Sequence, residues 1–366
     1  MVKTYRYRVK NLEGLLNQQA RAVNIVWNFC NDSQKLAIHL GKRWPSGFDF
    51  NRLTSGSCKE LGLSARTVQA VGERYARSRS QNKLRFLRYR GKDSLGWVPI
   101  KAPDLKASSR GFIFAKNEFR VFMSRPIPSG ATILDGTSFS KDSCGNWFLN
   151  VVLELPDVSV RPLRHAIGID LGLKDFAALS NGEKIANPRH LAKLADKLAK
   201  AQRARKKKLA RNLYAKVRNA RRDFQHKAST ALVKRFDFVA VGNISPIKLA
   251  KTRMAKSVLD VSWSSFRDML RYKAIAHGAV YEEVNEDHST QVCSSCGCLP
   301  KGRPAGIADL GIRTWCCNQC GVTHDRDVNS ARNILFASGH RGLVEGTHAY
   351  SGEECQAGTP SGFRPN

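Results

Sequence analysis

Four cysteines have the spacing of a metal site. Cys293 and Cys296 form one C-x-x-C pair, Cys317 and Cys320 form another, and twenty residues separate the pairs. Each pair can clamp an ion from a tight turn, and four thiolates complete the tetrahedron that structural zinc prefers. The spacing therefore predicts one structural Zn²⁺ ion.

The residues around these pairs point the same way. Gly297 and Gly321 follow the two pairs where a tight turn needs a glycine. Cys298 and Cys316 flank the pairs and complicate the choice of ligands. The other thiols look like ordinary buried or loop residues: Cys30, Cys58, Cys144 and Cys355. In a chain that is not exported thiols stay reduced, so clustered pairs favour metal binding over disulfides.

Two aspartates are candidate ligands for a harder metal such as Mg²⁺, which prefers oxygen. Asp170 lies opposite the apolar face of a predicted strand, and its neighbours Gly168 and Gly172 leave room for a metal and a phosphate. Asp327 opens the last predicted helix, directly after the cysteine segment. Plainer interpretations are a surface aspartate and a helix-end charge, and Asp325 is an equally good helix cap.

The chain is strongly basic. Its 366 residues include 61 Lys plus Arg and 30 Asp plus Glu, a net charge of +31. Such a surplus repels itself in a compact fold unless a polyanion screens it, so we expect a nucleic-acid partner. No apolar run approaches the roughly 18 residues of a membrane span, and the first residues lack a signal-peptide core. We therefore expect neither a membrane protein nor a secreted one.

The positive charge is concentrated in two stretches. Residues 74–92 contain eight basic residues and no acid, with aromatic residues between them, which suits stacked bases and phosphates. Residues 191–235 carry 16 Lys plus Arg and two acids in a predicted helical region. Either stretch can also be a solvated helix face. The candidate contacts are Arg74, Arg77, Arg79, Lys83, Arg85, Arg88, Tyr89, Arg90, Arg203, Arg205, Lys206, Lys207, Lys208, Arg211, Arg221 and Arg222.

The N-terminal half predicts a helical region and a small β-barrel. Alternating residues predict a strand with one basic face over residues 4–10. Apolar residues at helical spacing follow, within residues 11–94. Residues 95–160 hold short β-prone runs broken by Gly, Pro, Asn and Asp, and we interpret them as a small barrel that the first strand can join.

The C-terminal half predicts an RNase H-like α/β fold. Its order is three strands, a long helical insertion, a fourth strand, a helix, a fifth strand, the cysteine segment and a final helix. In such folds acidic residues at strand ends hold two divalent metals. Residues 341–366 are rich in Gly, Ser, Thr and Pro without periodicity, so we expect a disordered tail.

Three motifs together resemble the TnpB (OrfB) proteins of bacterial insertion sequences. They are GIDLGL at 168–173, STQVCSSCG at 289–297, and WCCNQCG at 315–321 followed by Asp-Arg-Asp-x-Asn. The resemblance covers nearly the whole chain. It implies a domain order of a β-barrel wedge (1–10 and 95–160), a helical recognition lobe (11–94), a RuvC-like nuclease (161–290 and 322–340) and a zinc-ribbon insert that binds target nucleic acid (291–321).

The resemblance also implies an activity. TnpB proteins are RNA-guided DNA endonucleases related to the type V CRISPR effectors. The implied partners are a guide RNA from the transposon end and double-stranded target DNA with a short adjacent motif. The implied cofactors are two Mg²⁺ ions in the nuclease site and one structural Zn²⁺. The implied location is the bacterial cytoplasm, in association with the nucleoid.

One position departs from the family pattern. The family usually has a glutamate at the end of the fourth strand, but Gly242 stands there, and glycine binds no metal. In one interpretation Glu286, just ahead of the cysteine segment, supplies the missing carboxylate, with Glu283 as second choice. Gly242 would then leave room for the longer reach. Asp170 and Asp327 complete the catalytic and magnesium-binding set.

Two other functions remain as alternatives. If the site is dead, the protein is an RNA-guided DNA-binding repressor, although a dead relative would be expected to lose more than one ligand. A third possibility is a transposase or transposition accessory protein, because nothing in the sequence separates strand joining from hydrolysis. The zinc insert and the split-nuclease order favour the guided nuclease.

Overall fold

The computed structural model describes residues 1–108, 111–243, 260–301, 303–304, 309 and 311–340. The chain divides into two compact units, Met1–Pro156 and Asp157–Asn366. The predicted disordered tail, 341–366, lies outside the described residues. Within the described ranges, no helix is both long and apolar enough to cross a membrane.

The N-terminal unit is built on an eight-stranded sheet. Its strands are β1 Val2–Lys10, β2 Trp97–Pro99, β3 Leu105–Ser108, β4 Gly111–Phe114, β5 Asn117–Phe122, β6 Thr132–Ile133, β7 Ser138–Lys141 and β8 Trp147–Glu154. As predicted, the first strand joins the sheet, antiparallel to both β8 and β5. The predicted barrel is not closed among the described residues, because the pairing runs along an open path from β2 to β3. Closure would require those two short end strands to pair.

Four helices share one hydrophobic core with this sheet: α1 Glu13–His39, α2 Gly47–Leu53, α3 Cys58–Leu61 and α4 Ala65–Gln81. One hydrophobic core joins Tyr7 and Val9 of β1 to Leu16 and Val23 of α1 and Tyr75 of α4. The alternation of β1 thus buries its aromatic and apolar residues against the helices.

The C-terminal unit contains a five-stranded sheet. Its strands are β9 Ala166–Leu171, β10 Asp175–Leu179, β11 Lys184–Ala186, β12 Phe238–Gly242 and β13 Val280–Val284, in the order β11-β10-β9-β12-β13. Strands β9, β12 and β13 are mutually parallel, and β10 is antiparallel to β9. The predicted hairpin of three strands and the neighbouring fourth and fifth strands are both present.

Four helices follow in this unit: α5 Ala195–Arg203, α6 Lys207–Arg235, α7 Trp263–His277 and α8 Arg326–Ala337. Helices α6 and α7 cover one face of the sheet, α8 covers the other, and α5 packs against α6. A small hairpin of β14 Thr314–Cys316 and β15 Thr323–Asp325 precedes α8. The long predicted helical stretch is therefore two helices. The break falls where Arg205 adopts a left-handed φ of 51°.

Alternate residues of the strands feed two separate cores. Ile169 and Val241 belong to the core shared with α6 and α7. Ala240 belongs to the core shared with Ile334 of α8. Because side chains alternate along β9, Asp170 points to the opposite face from Ile169 and lies on the α8 side of the sheet.

Gly168 sets the distance between the sheet and α8. A Cβ at this position would lie 2.1 Å from the carbonyl oxygen of Ala331 and 2.8 Å from Cβ of Leu335. The space beside Asp170 at this glycine is filled by helix backbone. The expectation that Gly168 leaves room for a metal and a phosphate is therefore wrong, because its lack of a side chain serves close packing.

Candidate active site and metal centres

The carboxyl ends of three strands bring the first candidates together. Val241 of β12 pairs with Ile169 of β9, and Gly242 pairs with Val284 of β13. Because these strands are parallel, Asp170, Gly242 and the residues after Val284 lie at one edge of the sheet. In open α/β sheets this edge is where ligands bind.

The carboxylate of Glu286 lies directly over Gly242. Glu286 is two residues beyond the end of β13. A Cβ built on Gly242 would lie 2.4 Å from Oε2 of Glu286 and 3.3 Å from its Cβ. A side chain at the end of β12 and the carboxylate of Glu286 would therefore compete for the same space.

The structure places Glu283 elsewhere. Its carboxylate forms ion pairs with Arg271 and, at 3.6 Å, with Arg267, both on α7. The hydroxyl of Tyr281 donates a second hydrogen bond to it at 2.8 Å. Glu283 thus faces α7, on the side of the sheet opposite to Asp170.

Asp325 and Asp327 have different environments at the start of α8. Asp325 is the helix cap, since its Oδ1 accepts hydrogen bonds of 3.1 Å from the amides of Asp327 and Val328. The ammonium of Lys184 lies 2.6 Å from Oδ2 of Asp325. Burial raises the pKa of Asp325, but Lys184 and the helix amides outweigh it and hold the pKa below its ordinary value. With the cap supplied by Asp325, the carboxylate of Asp327 is not needed for that role.

Negative charges gather around Asp170. Desolvation raises the pKa of Asp170 well above its ordinary value, and the nearby charges of Glu286 and Asp327 raise it further. A hydrogen bond from Ser330 and the charge of Arg326 oppose this only in part. Like charges that converge in a poorly solvated site are typical of a place where a cation binds.

The three carboxylates are not drawn into a tight cluster. Among the described residues, only the four predicted cysteines bring three or more possible ligand atoms within 4.8 Å of one another. Asp327 forms an ion pair with Nη1 of Arg313 at 3.2 Å. The donor set is nevertheless of the type that Mg²⁺ prefers, since it consists of carboxylate oxygens.

The cysteine cluster has the dimensions of a zinc site. The Sγ atoms of Cys293 and Cys320 are 3.7 Å apart, as are those of Cys296 and Cys317. Zinc–sulfur bonds of about 2.3 Å in a tetrahedron place the sulfurs about 3.8 Å apart. Cys316, which flanks the second pair, is exposed and lies outside the cluster. The four thiols therefore form a site that can hold one Zn²⁺.

Both predicted turns are present. Gly297 and Gly321 have left-handed φ values of 76° and 71°, which an L side chain disfavours. Their amides donate to the carbonyls of Cys293 and Cys317 at 2.8 Å. His324, which no sequence pattern predicted, is buried and places Nε2 3.0 Å from Sγ of Cys293.

Two buried asparagines attach the cysteine segment to α8, a role that the motifs in the sequence did not predict. The side-chain amide of Asn333 donates to the carbonyls of Ser289 and Val292, both at 2.7 Å. Asn329 donates to Val292 at 2.8 Å and accepts from the amide of Ser294 at 2.9 Å. Their sequence spacing could have predicted this role, because asparagines four residues apart lie on one face of a helix. They also follow closely after Asp325 and Asp327.

Most of the candidate nucleic-acid contacts are exposed, but three arginine side chains are at least partly buried against partners in the fold. Arg79 is 8% exposed and donates to Gln34 and to the carbonyl of Pro45. Arg90 donates to Asn24 and to the carbonyl of Leu95, and Arg221 pairs with Asp260. The exposed candidates are Arg74, Arg77, Lys83, Arg85, Arg88, Tyr89, Arg203, Arg205, Lys206, Lys207, Lys208, Arg211 and Arg222.

Comparison with known proteins identifies two regions of the chain. A family model described as "Probable transposase" matches residues 151–253, and one described as "Cas12f1-like, TNB domain" matches residues 263–334. These matches cover the strands that carry Asp170 and Gly242, and the segment with Glu286, Asp327 and the cysteines.

Named relatives agree with these matches. A Streptomyces pristinaespiralis protein named "Putative RNA-guided DNA endonuclease" is 36% identical over 228 residues, covering 58% of this chain and 55% of that protein. "Putative RNA-guided DNA endonuclease InsQ" of Escherichia coli (strain K12) is 30% identical over 240 residues, covering 57% and 58%. The chain thus matches a little over half the length of each relative.

Weaker similarity reaches viral and CRISPR proteins. "TnpB-like protein L79" of Acanthamoeba polyphaga mimivirus is 29% identical over 255 residues, covering 61% of this chain and 47% of that protein. A solved Cas12f1–sgRNA–target DNA complex covers 91% of this chain and 98% of that one, at 16% identity and a TM-score of 0.35, a level that does not establish a shared fold. The two family models and the named relatives thus agree that this chain is similar to probable transposases and to proteins named RNA-guided DNA endonucleases.

Proposed function

We propose that this protein is a transposon-encoded, RNA-guided DNA endonuclease that cleaves its target by metal-dependent hydrolysis. The observation that carries the proposal is the position of the Glu286 carboxylate over Gly242. It supplies an acid at the strand end where the chain itself has glycine. With Asp170 and Asp327 it gives three carboxylates on the α8 side of the sheet.

In this proposal Asp170, Glu286 and Asp327 hold two Mg²⁺ ions. Bound there, the ions would supply Lewis-acid activation of water and neutralise charge on the leaving 3′-oxygen. Neighbouring groups of the chain hold the carboxylates in position. Ser330 donates to Asp170, and the capped start of α8 fixes the backbone of Asp327.

The ion pair between Arg313 and Asp327 has a place in the same proposal. Arg313 lies on the N-terminal side of β14, in the cysteine segment. While it holds Asp327, that carboxylate is partly neutralised and drawn toward the segment. Metal binding at Asp327 would then require Arg313 to yield, and its guanidinium would become available for a phosphate.

We further propose that Cys293, Cys296, Cys317 and Cys320 bind a structural Zn²⁺ that holds α8 in position. The support is the sulfur spacing, together with the hydrogen bonds that the side-chain amides of Asn329 and Asn333 donate to the backbone of the cysteine segment. Zinc would rigidify that backbone, and the two asparagines would transmit its position to the helix that carries Asp327.

The proposed partners are a guide RNA from the transposon end and a double-stranded DNA target with a short adjacent motif. The net charge of +31 and the exposed basic helices α5 and α6 support contact with nucleic acid. We assign cleavage to residues 161–290 and 322–340 and target binding to the zinc insert at 291–321. Further contacts with guide and target are assigned to residues 1–160 and to α5 and α6.

The test is cleavage of a plasmid that carries the target and its adjacent motif by the purified protein–RNA complex in Mg²⁺. We expect wild-type protein to cut and Glu286→Gln to lose at least about a hundredfold in rate, because a neutral amide is a poor ligand for Mg²⁺. Glu283→Gln, which alters an equivalent acid on the other side of the sheet, should retain most activity.

Three outcomes would replace the proposal. Specific binding without any nicking would favour the RNA-guided repressor. Joined strands in place of hydrolysed ends would favour a transposase. Cleavage lost in Glu283→Gln but kept in Glu286→Gln would show that Glu283, and not Glu286, supplies the third carboxylate.

A further inference from the structure

An extended segment of the N-terminal unit is fastened along α1 by a row of asparagines. We call residues 84–91 the basic strap; they have no helix or strand structure. Asn31 accepts a hydrogen bond from the amide of Leu87 at 3.0 Å. Asn28 accepts from the amide of Arg90 at 2.8 Å and donates to its carbonyl at 2.9 Å. Asn24 donates to the carbonyl of Gly91 at 3.3 Å.

Two further contacts fix the strap. The indole of Trp27 donates to the carbonyl of Arg88 at 3.1 Å. The Arg90 side chain points inward, where it donates to Asn24 at 2.7 Å and lies 5.7 Å from the ring centre of Trp27. Because asparagines 24, 28 and 31 are spaced by four and three residues, they lie on one face of α1 and can meet an extended chain. The backbone of the strap is therefore held by side chains.

The strap presents cations and aromatic rings outward. Arg85 and Arg88 are exposed, and each directly precedes an exposed ring, Phe86 or Tyr89. The two rings are 49% and 43% exposed. The ammonium of Lys35 on α1 lies 5.0 Å from the ring centre of Phe86 and 4.4 Å from that of Tyr89.

This arrangement differs from ordinary packing. Both rings keep nearly half of their surface exposed on an immobilised backbone, which forgoes part of the stabilisation that full burial would give. The hydroxyl of Tyr89 donates to Asp32 of α1, which fixes the orientation of that ring. A rigid backbone with repeated cation–ring doublets instead lowers the entropy lost when a ligand binds. Rings that accept stacked bases, with guanidinium groups beside them for phosphates, are the chemistry of single-stranded nucleic-acid recognition.

We propose that the basic strap is a preformed site for single-stranded nucleic acid, in which Phe86 and Tyr89 stack on bases and Arg85, Arg88 and Lys35 contact phosphates. The proposal rests on the proposed function for the presence of a nucleic-acid partner and deepens it by giving one stretch of that partner a single-stranded form. It makes no use of the carboxylates of the C-terminal unit.

Equilibrium binding and cross-linking test the strap. The probes are a twelve-nucleotide oligouridine, the matching oligothymidine and a DNA duplex of equal length, with the full-length protein. Stacking on an aromatic side chain is worth about five- to a hundredfold in affinity per base. Phe86→Ala/Tyr89→Ala should therefore weaken binding of one or both single strands at least tenfold and change duplex binding by less than about threefold.

Matched variants separate stacking from general charge. Phe48→Ala, which removes a ring that is 78% exposed in the same unit, should leave all three affinities unchanged. Phe86→Tyr should retain binding. Arg85→Gln/Arg88→Gln should reduce the slope of log affinity against log salt by about 1.4 for a single strand. With oligouridine that carries 4-thiouridine, cross-links should map to the strap peptide.

Asn28→Ala tests preorganisation without touching the rings. It should free the backbone at Arg90 and weaken single-strand binding while the melting temperature shows that the unit stays folded. The proposal is overturned if the double ring variant folds and binds single strands like the wild type. It is also overturned if duplex binding falls equally, or if cross-links avoid the strap.

These outcomes are distinguishable from failure of the proposed function. Glu286→Gln should bind and cross-link at the strap normally, so absence of cleavage alone leaves the strap proposal standing. Normal cleavage together with unchanged binding by the ring variant removes the strap proposal alone. The larger of the two single-strand effects identifies RNA or DNA as the occupant.

Discussion

At the residue scale, the absence of a side chain at position 242 matters as much as the presence of one at 286. The Cβ of an alanine at 242 would meet the flexible end of Glu286 at 2.4 Å, so the carboxylate can move aside. We expect Gly242→Ala to lower the free energy of unfolding by only about 1 kcal/mol, the lower end of the cost of added core atoms. Its cleavage rate should nevertheless fall at least tenfold, because the carboxylate has left its position. Chemical denaturation and plasmid cleavage measure the two effects.

Gly168→Ala provides the contrast. There the added Cβ would meet the backbone oxygen of Ala331 at 2.1 Å, which cannot move without shifting α8. This variant should lose both stability, by roughly 2 kcal/mol or more, and activity. If Gly242→Ala behaved in the same way, its effect would be one of folding and not of carboxylate position.

The raised pKa of Asp170 predicts a gain in stability when its charge is removed. The folded protein keeps the proton of this carboxyl to a higher pH than the unfolded chain does. Ionisation of Asp170 therefore lowers stability as the pH rises from about 4 through the raised value. Asp170→Asn should raise the melting temperature at pH 7 by about 2–4 °C, show little gain at pH 4, and abolish cleavage.

Mg²⁺ gives the control for this experiment. It should stabilise the wild type more at pH 7 than at pH 5, since only the ionised carboxylates bind it, and it should stabilise Asp170→Asn little. If Asp170→Asn lost the same stability at pH 4 and at pH 7, a raised pKa of Asp170 in the folded protein would be contradicted. Thermal unfolding followed by fluorescence provides all four measurements.

At the scale of elements, α8 is positioned both by the sheet that it covers and by the cysteine segment that precedes it. Gly168 lets it lie on β9, Asp325 caps it, and Asn333 ties it to the backbone that precedes Cys293. Strain in the cysteine segment should therefore reach Asp327. Three separate contacts on twelve residues leave the helix little freedom.

Removal of one zinc ligand tests this connection. Cys317→Ser should release zinc, lower the free energy of unfolding by roughly 2 kcal/mol or more and weaken Mg²⁺-dependent cleavage. Cys316→Ser changes the exposed neighbour outside the cluster and should retain both metal and activity. Metal analysis of the purified proteins decides the matter, since unchanged zinc in Cys317→Ser would refute the ligand assignment.

The elements also show how far sequence patterns reach. Strand alternation predicted the face of Asp170, and the cysteine spacing predicted the cluster, because both depend on local geometry. The burial of Arg79 and the inward turn of Arg90 depend on Gln34, Asn24 and Pro45. These partners are distant in the chain, so the local periodicity of the sequence cannot predict the contacts. The choice between Glu286 and Glu283 was left open by the sequence because both lie near the same strand end.

At the scale of the whole molecule, the net charge of +31 gives a quantitative expectation. If ten phosphates of a duplex are neutralised, log affinity should fall with log salt at a slope of roughly −9. Titration of protein with duplex DNA between 50 and 200 mM salt, about the usual range, measures it. Replacing Lys206, Lys207 and Lys208 with glutamine should make the slope shallower by up to about 3. An unchanged slope would place the contacts away from the turn between α5 and α6.

The close approach of Gly242 and Glu286 also constrains how this site can change over generations. A larger side chain at position 242 would displace the Glu286 carboxylate, and loss of Glu286 alone would leave the proposed site one acid short. Either single substitution therefore disturbs the site. In related proteins we expect glycine at 242 and glutamate at 286 to be kept or lost together.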